Sequence, residues 1–306
     1  MSDPRPIGVF DSGVGGLTVL REITRRSPHE STVYLGDNAR APYGVRPDEE
    51  VLAFSTQALD ALVERDVKAL VVACNTSTAV GLGAFRRRYD LPVLGVIRPG
   101  AAAATLATRN RRVGVIATPA TIRSHAYFAA IKDENPAVEV YEHATPALVP
   151  LVEAGDLAGP DAEAVVADAL APLLGELDGD GESIFPRPAG ATVDTLLLGC
   201  THYPLLRPLI AARAGERIAI VDSATATASA LAELLSVNGL EAPGTTRGTA
   251  ADPGHLGHQR PTEAHAPASH QQLTTGDPER FAELARRLFG SAFPSVSSVD
   301  LGVLVP

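Results

Sequence analysis

Short apolar runs alternate with longer amphipathic stretches along most of this chain, and that alternation limits the fold more than any other feature. The stretch from Asp48 to Arg65 has the apolar periodicity of a helix that covers one face of a sheet. Repetition of strand, helix and strand predicts α/β architecture with parallel sheets, whose buried strands are apolar throughout. The predicted strands are IGVF (7–10), TVYLG (32–36), ALVVA (69–73), VLGVI (93–97), VGVIA (113–117) and TLLLG (195–199).

Two pairs of segments in the sequence resemble each other. KALVVACNT (68–76) aligns with DTLLLGCTH (194–202), and IGVFDSG (7–13) aligns with VGVIATP (113–119). A chance match of short apolar strings is the alternative explanation. A real repeat predicts two similar domains that face each other, each with one cysteine at the C-terminal end of a strand. Right-handed crossovers bring such strand ends to the edge where ligands bind.

The sequence predicts two domains. Residues 1–98 together with residues 208–306 form the first α/β domain, and residues 99–207 form the second. Residues 178–190, DGDGESIFPRPAG, are predicted to be a loop insertion. Residues 242–270 are rich in Ala, Pro, Gly, Thr and His, which is typical of a flexible segment.

The flexible segment contains half of the eight histidines in the chain, and order is expected to resume after it. A solvated low-complexity stretch is favoured there over a metal site. A helix is then predicted from Asp277 as the N-cap and Pro278 as the first helical residue to Gly290 as the stop signal. The four histidines are His255, His258, His265 and His270.

Composition and charge exclude several classes of protein. The formal net charge of −10 argues against a nucleic-acid binder. No apolar run is long enough to span a membrane, and no secretory signal is expected, so we predict a cytoplasmic protein without a membrane partner. With only two cysteines, and no CxxC pair, neither a structural disulfide nor a four-thiolate zinc site is expected.

The surroundings of the two cysteines favour reactive thiols over inert ones. Cys74 follows a predicted strand and precedes a run of polar residues that suits the start of a helix, and Cys200 follows another strand in a similar setting. A helix N-terminus stabilises a thiolate and is expected to lower the pKa of the thiol. Inversion of a stereocentre by deprotonation needs a base on one face of the carbon and an acid on the other. A thiolate and a thiol on opposite faces supply both.

Each thiol needs a partner that handles its proton. Asp11, at the end of the first strand, is the candidate beside Cys74, and His202 is the candidate beside Cys200. Taken singly, Asp11 is as well explained as a turn or cap residue and His202 as a packed, hydrogen-bonded histidine. Only the four residues together indicate a catalytic set.

Two polar loops follow the first two predicted strands. DSGVGG (11–16) resembles a dinucleotide fingerprint, but Thr18 stands where the last glycine is required, and no phosphate-binding Lys-Ser or Lys-Thr follows. Its glycines are expected to let the backbone approach a small anion. In GDNARAPYG (36–44), Tyr43 and Gly44 offer backbone amides to a carboxylate, with an ordinary turn as the alternative.

Together these motifs resemble the bacterial glutamate racemases, of the aspartate/glutamate racemase family. FDSGVGGLTVL, GDNARAPYG, VVACNTSTA, VIRPGA, LVPLVEAG, LLGCTHYPLL and TTGDPERF occur in this order over nearly the whole chain. The resemblance implies two α/β domains related by pseudo-two-fold symmetry, with the active site in the cleft between them. It also implies a cofactor-independent, metal-free isomerase that supplies D-glutamate for peptidoglycan synthesis, and hence for cell wall biogenesis and cell shape. Its substrate is a small molecule, glutamate, and it is expected to form a homodimer.

The resemblance also implies a role for each matching residue. Cys74 deprotonates D-glutamate and Cys200 deprotonates L-glutamate, with Asp11 and His202 assisting them respectively. Asp37 and Glu153 match acidic positions close to the family's site. The implied substrate contacts are Asp11, Ser12, Tyr43, Gly44, Asn75, Thr76, Thr201 and His202, with Thr118 and Thr121 as further candidates in the second domain.

The sequence departs from the family pattern at a few positions, and other functions stay open. Asn38 replaces a threonine of many members and Thr145 replaces a further cysteine, but neither belongs to the expected catalytic set. The alternatives are a racemase of the same fold that acts on aspartate or another amino acid, a catalytically silent binding protein, and a thiol redox protein. The intact set of Cys74, Cys200, Asp11 and His202 disfavours the second, and the absence of CxxC disfavours the third.

Overall fold

The fold is taken from a computed structural model that describes residues 2–174, 193–244, 267–293 and 295–302. The predicted loop insertion at 178–190 lies outside the described residues. So does most of the predicted flexible segment, including three of its four histidines.

The described residues form ten strands, which we number along the chain. They are β1 (Ile7–Asp11), β2 (Thr32–Gly36), β3 (Ala69–Val72), β4 (Val93–Gly95), β5 (Arg112–Ala117), β6 (Glu139–Ala144), β7 (Thr195–Gly199), β8 (Ala219–Asp222), β9 (His270–Thr274) and β10 (Ser297–Ser298).

Eleven α-helices lie between or after these strands in the described ranges. They are α1 (Leu17–Arg26), α2 (Asp48–Val63), α3 (Asn75–Arg88), α4 (Ile97–Ala107), α5 (Pro119–Arg123), α6 (Ala126–Glu134), α7 (Leu148–Ala154), α8 (Pro160–Leu174), α9 (Arg207–Ala214), α10 (Ser223–Asn238) and α11 (Pro278–Phe289).

The strands build two separate sheets, and every strand pair in them is parallel. The first sheet has the order β10-β9-β2-β1-β3-β4 and the second has the order β6-β5-β7-β8. The order β2-β1-β3-β4 in the first sheet therefore recurs as β6-β5-β7-β8 in the second. The two aligned pairs of segments in the sequence, β1 with β5 and β3 with β7, occupy equivalent places. The predicted fold class, two parallel-sheet α/β domains, is confirmed.

Burial explains which strands could be predicted from the sequence. Every residue of β1, β2, β3 and β7 is buried, so these strands are apolar or small along most of their length. β6 lies at the edge of its sheet, β8 lies at the opposite edge, and none of their residues is fully buried. Their sequences carry no long apolar run, and neither was predicted. The predicted strand at 93–97 is wrong at its end, because Ile97 already begins α4.

Two other boundaries differ from the prediction. β8 pairs with β7, so the residues after 207 stay with the second sheet up to Asp222 instead of returning to the first domain. The chain returns with α10, which packs Ala228 and Leu231 into the core of the first sheet. Residue His270, placed in the flexible segment by its composition, begins β9 and pairs with Thr32. Pairing across a sheet is a long-range property that local composition does not reveal.

Apolar residues cover both faces of each sheet. α1, α10 and α11 pack on one face of the first sheet, and α2 and α3 pack on the other. The predicted C-terminal helix is confirmed as α11, whose N-cap Asp277 accepts hydrogen bonds from the backbone of Glu279 and Arg280. No helix within the described ranges has both the length and the apolar character needed to cross a lipid bilayer.

A buried ion pair holds the N-terminal segment against the N-terminal ends of the strands in the first sheet. Cys74 lies beyond the opposite, C-terminal ends of these strands. Lys68 Nζ lies 2.6 Å from Glu30 Oε2, and the two side chains are 0% and 4% exposed. Lys68 also donates to the carbonyl of Asp3 at 2.7 Å. Glu30 Oε1 accepts from the backbone amide of Ala242 at 2.7 Å. The pair thus joins four separate stretches of chain.

We predict that Lys68→Met lowers the free energy of unfolding of the first domain by about 3–5 kcal/mol, because it leaves the Glu30 carboxylate buried without its cation. Urea denaturation at neutral pH measures this loss. Arg98→Met is the matched control, since its pair with Asp133 is 62% and 63% exposed. It should cost about 0–1 kcal/mol. Equal losses in the two variants would contradict the role given to the buried pair.

Candidate active site

The two cysteines occupy equivalent positions in the two domains and line one cavity. Cys74 follows β3 and Cys200 follows β7, each at the C-terminal end of a central strand. Their side chains are 5% and 7% exposed, and both border the same cleft between the domains. The cleft has a cavity volume of about 80 Å³. Since one water needs about 10–15 Å³ by this measure, the cavity suits a small molecule and not a dinucleotide.

Cys74 is the N-cap of α3, as the sequence predicted. Its sulfur accepts a hydrogen bond from the backbone amide of Ser77 at 3.4 Å and lies 3.5 Å from Ser12 Oγ. The expected lowering of its pKa is wrong. Burial, followed by the negative charge of Asp11, raises the pKa of Cys74 to about 11, although the hydrogen bonds from Ser77 and Ser12 oppose this. Desolvation of the thiolate outweighs the helix N-terminus here.

Cys200 has a different setting from the one predicted. A turn and a short 3₁₀ helix, Tyr203–Leu206, follow it instead of an α-helix. Its sulfur lies 3.7 Å from His202 Nδ1, and His202 Nε2 lies 3.2 Å from Glu153 Oε1. Burial lowers the pKa of His202, but the hydrogen bonds to Cys200 and Glu153 outweigh burial and raise it to about 10. The imidazole is therefore cationic at neutral pH, beside the sulfur.

Asp11 lies at the joint between the two domains. It is fully buried at the end of β1, and its carboxylate accepts hydrogen bonds from the Gly13 amide at 3.0 Å and from Thr201 Oγ1 at 3.3 Å. Burial raises its pKa, while the charge of His202 opposes that shift. Its influence on Cys74 is electrostatic, because its described hydrogen bonds go to Gly13 and Thr201 and not to the sulfur.

The glycine-rich loop serves close packing between domains. A Cβ on Gly15 would lie 2.5 Å from Nδ1 of His202 and 2.6 Å from Oγ1 of Thr201, and one on Gly16 would overlap Asp11. Thr18 Oγ1 also donates to the carbonyl of Thr201 at 3.1 Å. These glycines therefore make room for the segment that follows Cys200. Their predicted approach to a small anion stays a prediction.

Most of the predicted substrate contacts come together around the cavity. Asp11 and Thr121 do not line it. The hydroxyl of Thr121 lies 3.0 Å from that of Thr118, and the Thr118 hydroxyl lies 2.9 Å from that of Thr76. These three hydroxyls join α3 to the start of α5. The predicted residues that do line the cavity are Ser12, Tyr43, Gly44, Cys74, Asn75, Thr76, Thr118, Glu153, Cys200, Thr201 and His202.

Asp37 supports the cavity from behind and does not border it. It is fully buried, accepts hydrogen bonds from the hydroxyl of Tyr43 and from Arg40 Nε, and receives a third from Thr275 Oγ1. The hydroxyl of Tyr43, a residue that lines the cavity, is thereby bonded to Asp37. Gly44 packs directly on the side chain of Thr118, where a Cβ would lie 2.5 Å away.

Sequence reasoning missed an apolar part of the lining. Three residues from the segment before and within α7, Pro146, Val149 and Pro150, border the cavity, together with Val45 of the first domain. In the stretch LVPLVEAG, only the glutamate, Glu153, was expected close to the site. Apolar residues in an amphipathic segment carry no signal that separates cavity lining from core. The described residues contain no group of three or more His, Cys, Asp or Glu that could hold a metal ion.

Comparisons with known proteins agree with this geometry. A glutamate racemase from Shouchella clausii is 43% identical over 302 residues, which cover 99% of this chain and 96% of the relative. The crystal structure of a glutamate racemase isoform from Bacillus anthracis is 39% identical with a TM-score of 0.82, covering 97% of this chain and 98% of that one. The crystal structure of glutamate racemase from Francisella tularensis in complex with D-glutamate is 30% identical with a TM-score of 0.79, covering 98% of both chains.

The family described as Asp/Glu/Hydantoin racemase matches residues 7–231, which is well over half of the sequence. The whole second sheet, strands β1 to β4 of the first sheet and both cysteines fall within the matched range. The chain therefore belongs to the Asp/Glu/Hydantoin racemase family.

Proposed function

We propose that this protein interconverts L- and D-glutamate without a cofactor, by proton transfer at the α-carbon between two thiols. The observation that carries the proposal is the placement of Cys74 and Cys200 at equivalent strand ends of the two domains, where both line one small cavity. One thiol from each domain meets the need for two acid–base groups on opposite faces of one carbon. A single thiol would have to release and turn the substrate.

Glutamate is the substrate best supported by the relatives. The relatives compared with this chain are glutamate racemases, and one was crystallised with D-glutamate. Polar side chains from both domains line the cavity on either side of the cysteines, as a substrate with three charged groups requires. The chain would then supply D-glutamate for peptidoglycan in the cytoplasm. We further propose that it works as a homodimer, as the family resemblance implies.

The chemistry divides between the two sulfurs. With L-glutamate, the Cys200 thiolate takes the α-proton from one face, and the Cys74 thiol gives its proton to the carbanion on the other face. With D-glutamate, the Cys74 thiolate takes the proton and the Cys200 thiol returns one. Each turnover exchanges the protonation states of the two sulfurs, and no electrons are gained or lost.

The residues beside the two sulfurs have opposite effects on negative charge at each sulfur. His202 is held as a cation by Glu153 and lies beside Cys200, so it favours negative charge on that sulfur. Asp11 disfavours negative charge on Cys74, whose raised pKa keeps it a thiol at neutral pH. Asp11 and His202 act as the groups that adjust the proton affinity of each sulfur as substrate binds.

The remaining polar residues bind the substrate in this proposal. Hydroxyls, backbone amides and one side-chain amide surround the cysteines, and they suit the two carboxylates and the amine of glutamate. The residues assigned to binding are Asp11, Ser12, Tyr43, Gly44, Asn75, Thr76, Thr201 and His202, with Thr118 and Thr121 bracing Thr76.

Circular dichroism of the purified, dialysed protein with each glutamate enantiomer tests the proposed function. Both enantiomers should converge on zero ellipticity without added cofactor, and product formed in heavy water should carry deuterium at the α-carbon. A parallel assay with both aspartate enantiomers separates the alternative substrate. A protein that leaves both glutamate signals constant, or that acts faster on aspartate, would contradict the proposal.

Serine at either cysteine should abolish racemisation while sparing one half-reaction. Cys74→Ser and Cys200→Ser should each lower kcat for racemisation by about 10²–10⁴-fold, since a hydroxyl replaces the acid–base thiol. On a glutamate analogue that eliminates a leaving group after α-proton removal, Cys200→Ser should act on the D form only. Cys74→Ser should act on the L form only. Coupled release of the leaving group measures both rates.

The two serine variants serve as each other's control, because the proposal requires opposite enantiomer preferences. The same preference in both variants would show that the assignment of faces is wrong. Full racemisation by either variant would remove that cysteine from the mechanism.

The reactivity of Cys74 should depend on pH as its raised pKa requires. Alkylation by iodoacetamide needs the thiolate, so its rate at Cys74 should rise about tenfold per pH unit from neutral pH until the pKa near 11. Asp11→Asn removes a charge that raises this pKa and should accelerate the reaction at any lower pH. Peptide-resolved mass spectrometry measures the rate at each sulfur.

Glu153→Gln is the matched control for this measurement. Glu153 lines the same cavity, but it is not among the charges that shift the pKa of Cys74. The Cys74 profile should therefore be the same as in the unmodified protein. A Cys74 rate that levels off well below the expected pKa, or that ignores Asp11→Asn, would contradict the electrostatic role of Asp11.

A further inference from the structure

One polar group beside the catalytic cysteine is buried without a protein partner. Asn75 is the first residue of α3, is 3% exposed and lines the cavity between the domains. Within the described residues, its amide nitrogen Nδ2 has no hydrogen-bond acceptor. Such a donor costs free energy when it is buried unpaired, so a ligand that accepts its hydrogen bond gains from that position.

The other end of the same amide is fixed by a residue from the opposite domain. Tyr127 of α6 is fully buried, and its hydroxyl donates a hydrogen bond to Asn75 Oδ1 at 2.6 Å. In this bond the phenol donates and the amide oxygen accepts, so the oxygen end of the amide faces Tyr127. The nitrogen is the end left without a partner, on a residue that lines the cavity.

We propose that Tyr127 is a positioning residue, which orients the side-chain amide of Asn75 so that Nδ2 donates a hydrogen bond to a carboxylate of the bound amino acid. The proposal deepens the proposed function and depends on it. Tyr127 does not line the cavity, so it acts through Asn75 and not on the substrate. Nothing in the sequence indicated this role, because a tyrosine on the apolar face of a helix is typical of a domain core.

The contact also makes substrate binding depend on the arrangement of the two domains. Asn75 belongs to α3 beside the first sheet, whereas Tyr127 packs in the core of the second domain. Any opening of the cleft that separates α3 from α6 removes the orienting bond. The donor is therefore correctly directed only when the domains adopt the arrangement that brings the two cysteines to one cavity.

Tyr127→Phe tests the proposal because it removes the hydroxyl and keeps the ring. We expect KM for L- and D-glutamate to rise about tenfold, the loss of one side-chain hydrogen bond to substrate, and kcat to stay within about threefold. Because the enantiomers have equal free energy, kcat/KM must fall by the same factor in both directions. Calorimetric titration with D-glutamate should show a matching rise in Kd.

A double variant separates positioning from a general structural effect. In an Asn75→Ala background, Tyr127→Phe should change KM no further, since the side chain that it orients is gone. Tyr89→Phe is the matched control, because it removes another phenol hydroxyl, half-buried and bonded to Asp60 Oδ1 at 2.8 Å, outside the cavity lining. It should lower the thermal unfolding midpoint without a change in KM.

Three results would overturn the role of Tyr127. An unchanged KM in active Tyr127→Phe would do so, as would a further rise in KM when Tyr127→Phe is added to Asn75→Ala. An equal rise in KM from Tyr89→Phe would show a nonspecific effect of lost stability. Failure of the unmodified protein to racemise glutamate is a separate outcome, which would overturn the proposed function itself.

Discussion

The close contact between the glycine-rich loop of the first domain and the Thr201–His202 segment of the second is the constraint on which the site depends. Gly15 has no side chain because the imidazole and hydroxyl of that segment fill the space, and Thr201 bonds to Asp11 across the joint. A methyl group at Gly15 would require the side chains of Thr201 and His202, beside Cys200, to shift.

This joint also produces an electrostatic asymmetry in a symmetric architecture. The same strand order places Cys74 and Cys200 at equivalent positions, yet the groups beside them carry opposite charge. Asp11 and burial oppose a thiolate at Cys74, whereas cationic His202 lies next to Cys200. Two equivalent thiols would compete for one proton. The unequal surroundings decide which sulfur keeps it.

Sequence reasoning succeeded where burial imposes a local signature and failed where the cause is long-range. The central strands were predicted because residues buried on both faces must be apolar, but edge strands such as β6 and β8 carry no such pattern. The capping of α3 by Cys74 was predicted from the polar residues that follow it. The raised pKa of Cys74 was not, since it arises from burial and from Asp11, which is distant in sequence.

The glycines illustrate the same limit within the site. Their spacing predicted close approach of the backbone to another group, and the structure shows that side chains of the other domain lie against Gly15. Sequence can show that a Cβ is not tolerated, but not what would collide with it. The link between Tyr127 and Asn75 is of the same kind, because neither partner is unusual until the fold brings them together.

The asymmetry of the two thiols has a thermodynamic bound. In the proposed racemisation, L- and D-glutamate have equal free energy in an achiral solvent, so kcat/KM must be the same in both directions at every pH. The preset charge beside each sulfur cannot favour one enantiomer in that ratio. It can change kcat and KM only by the same factor, so that their ratio stays the same.

The enantiomer that meets its base already ionised binds to the more populated form of the enzyme. The other enantiomer binds the minor form, and its apparent affinity is reduced by the fraction of enzyme in that form. The opposite charges of Asp11 and His202 therefore act on the populations of the free enzyme, while the chemical step remains the same exchange of one proton for another.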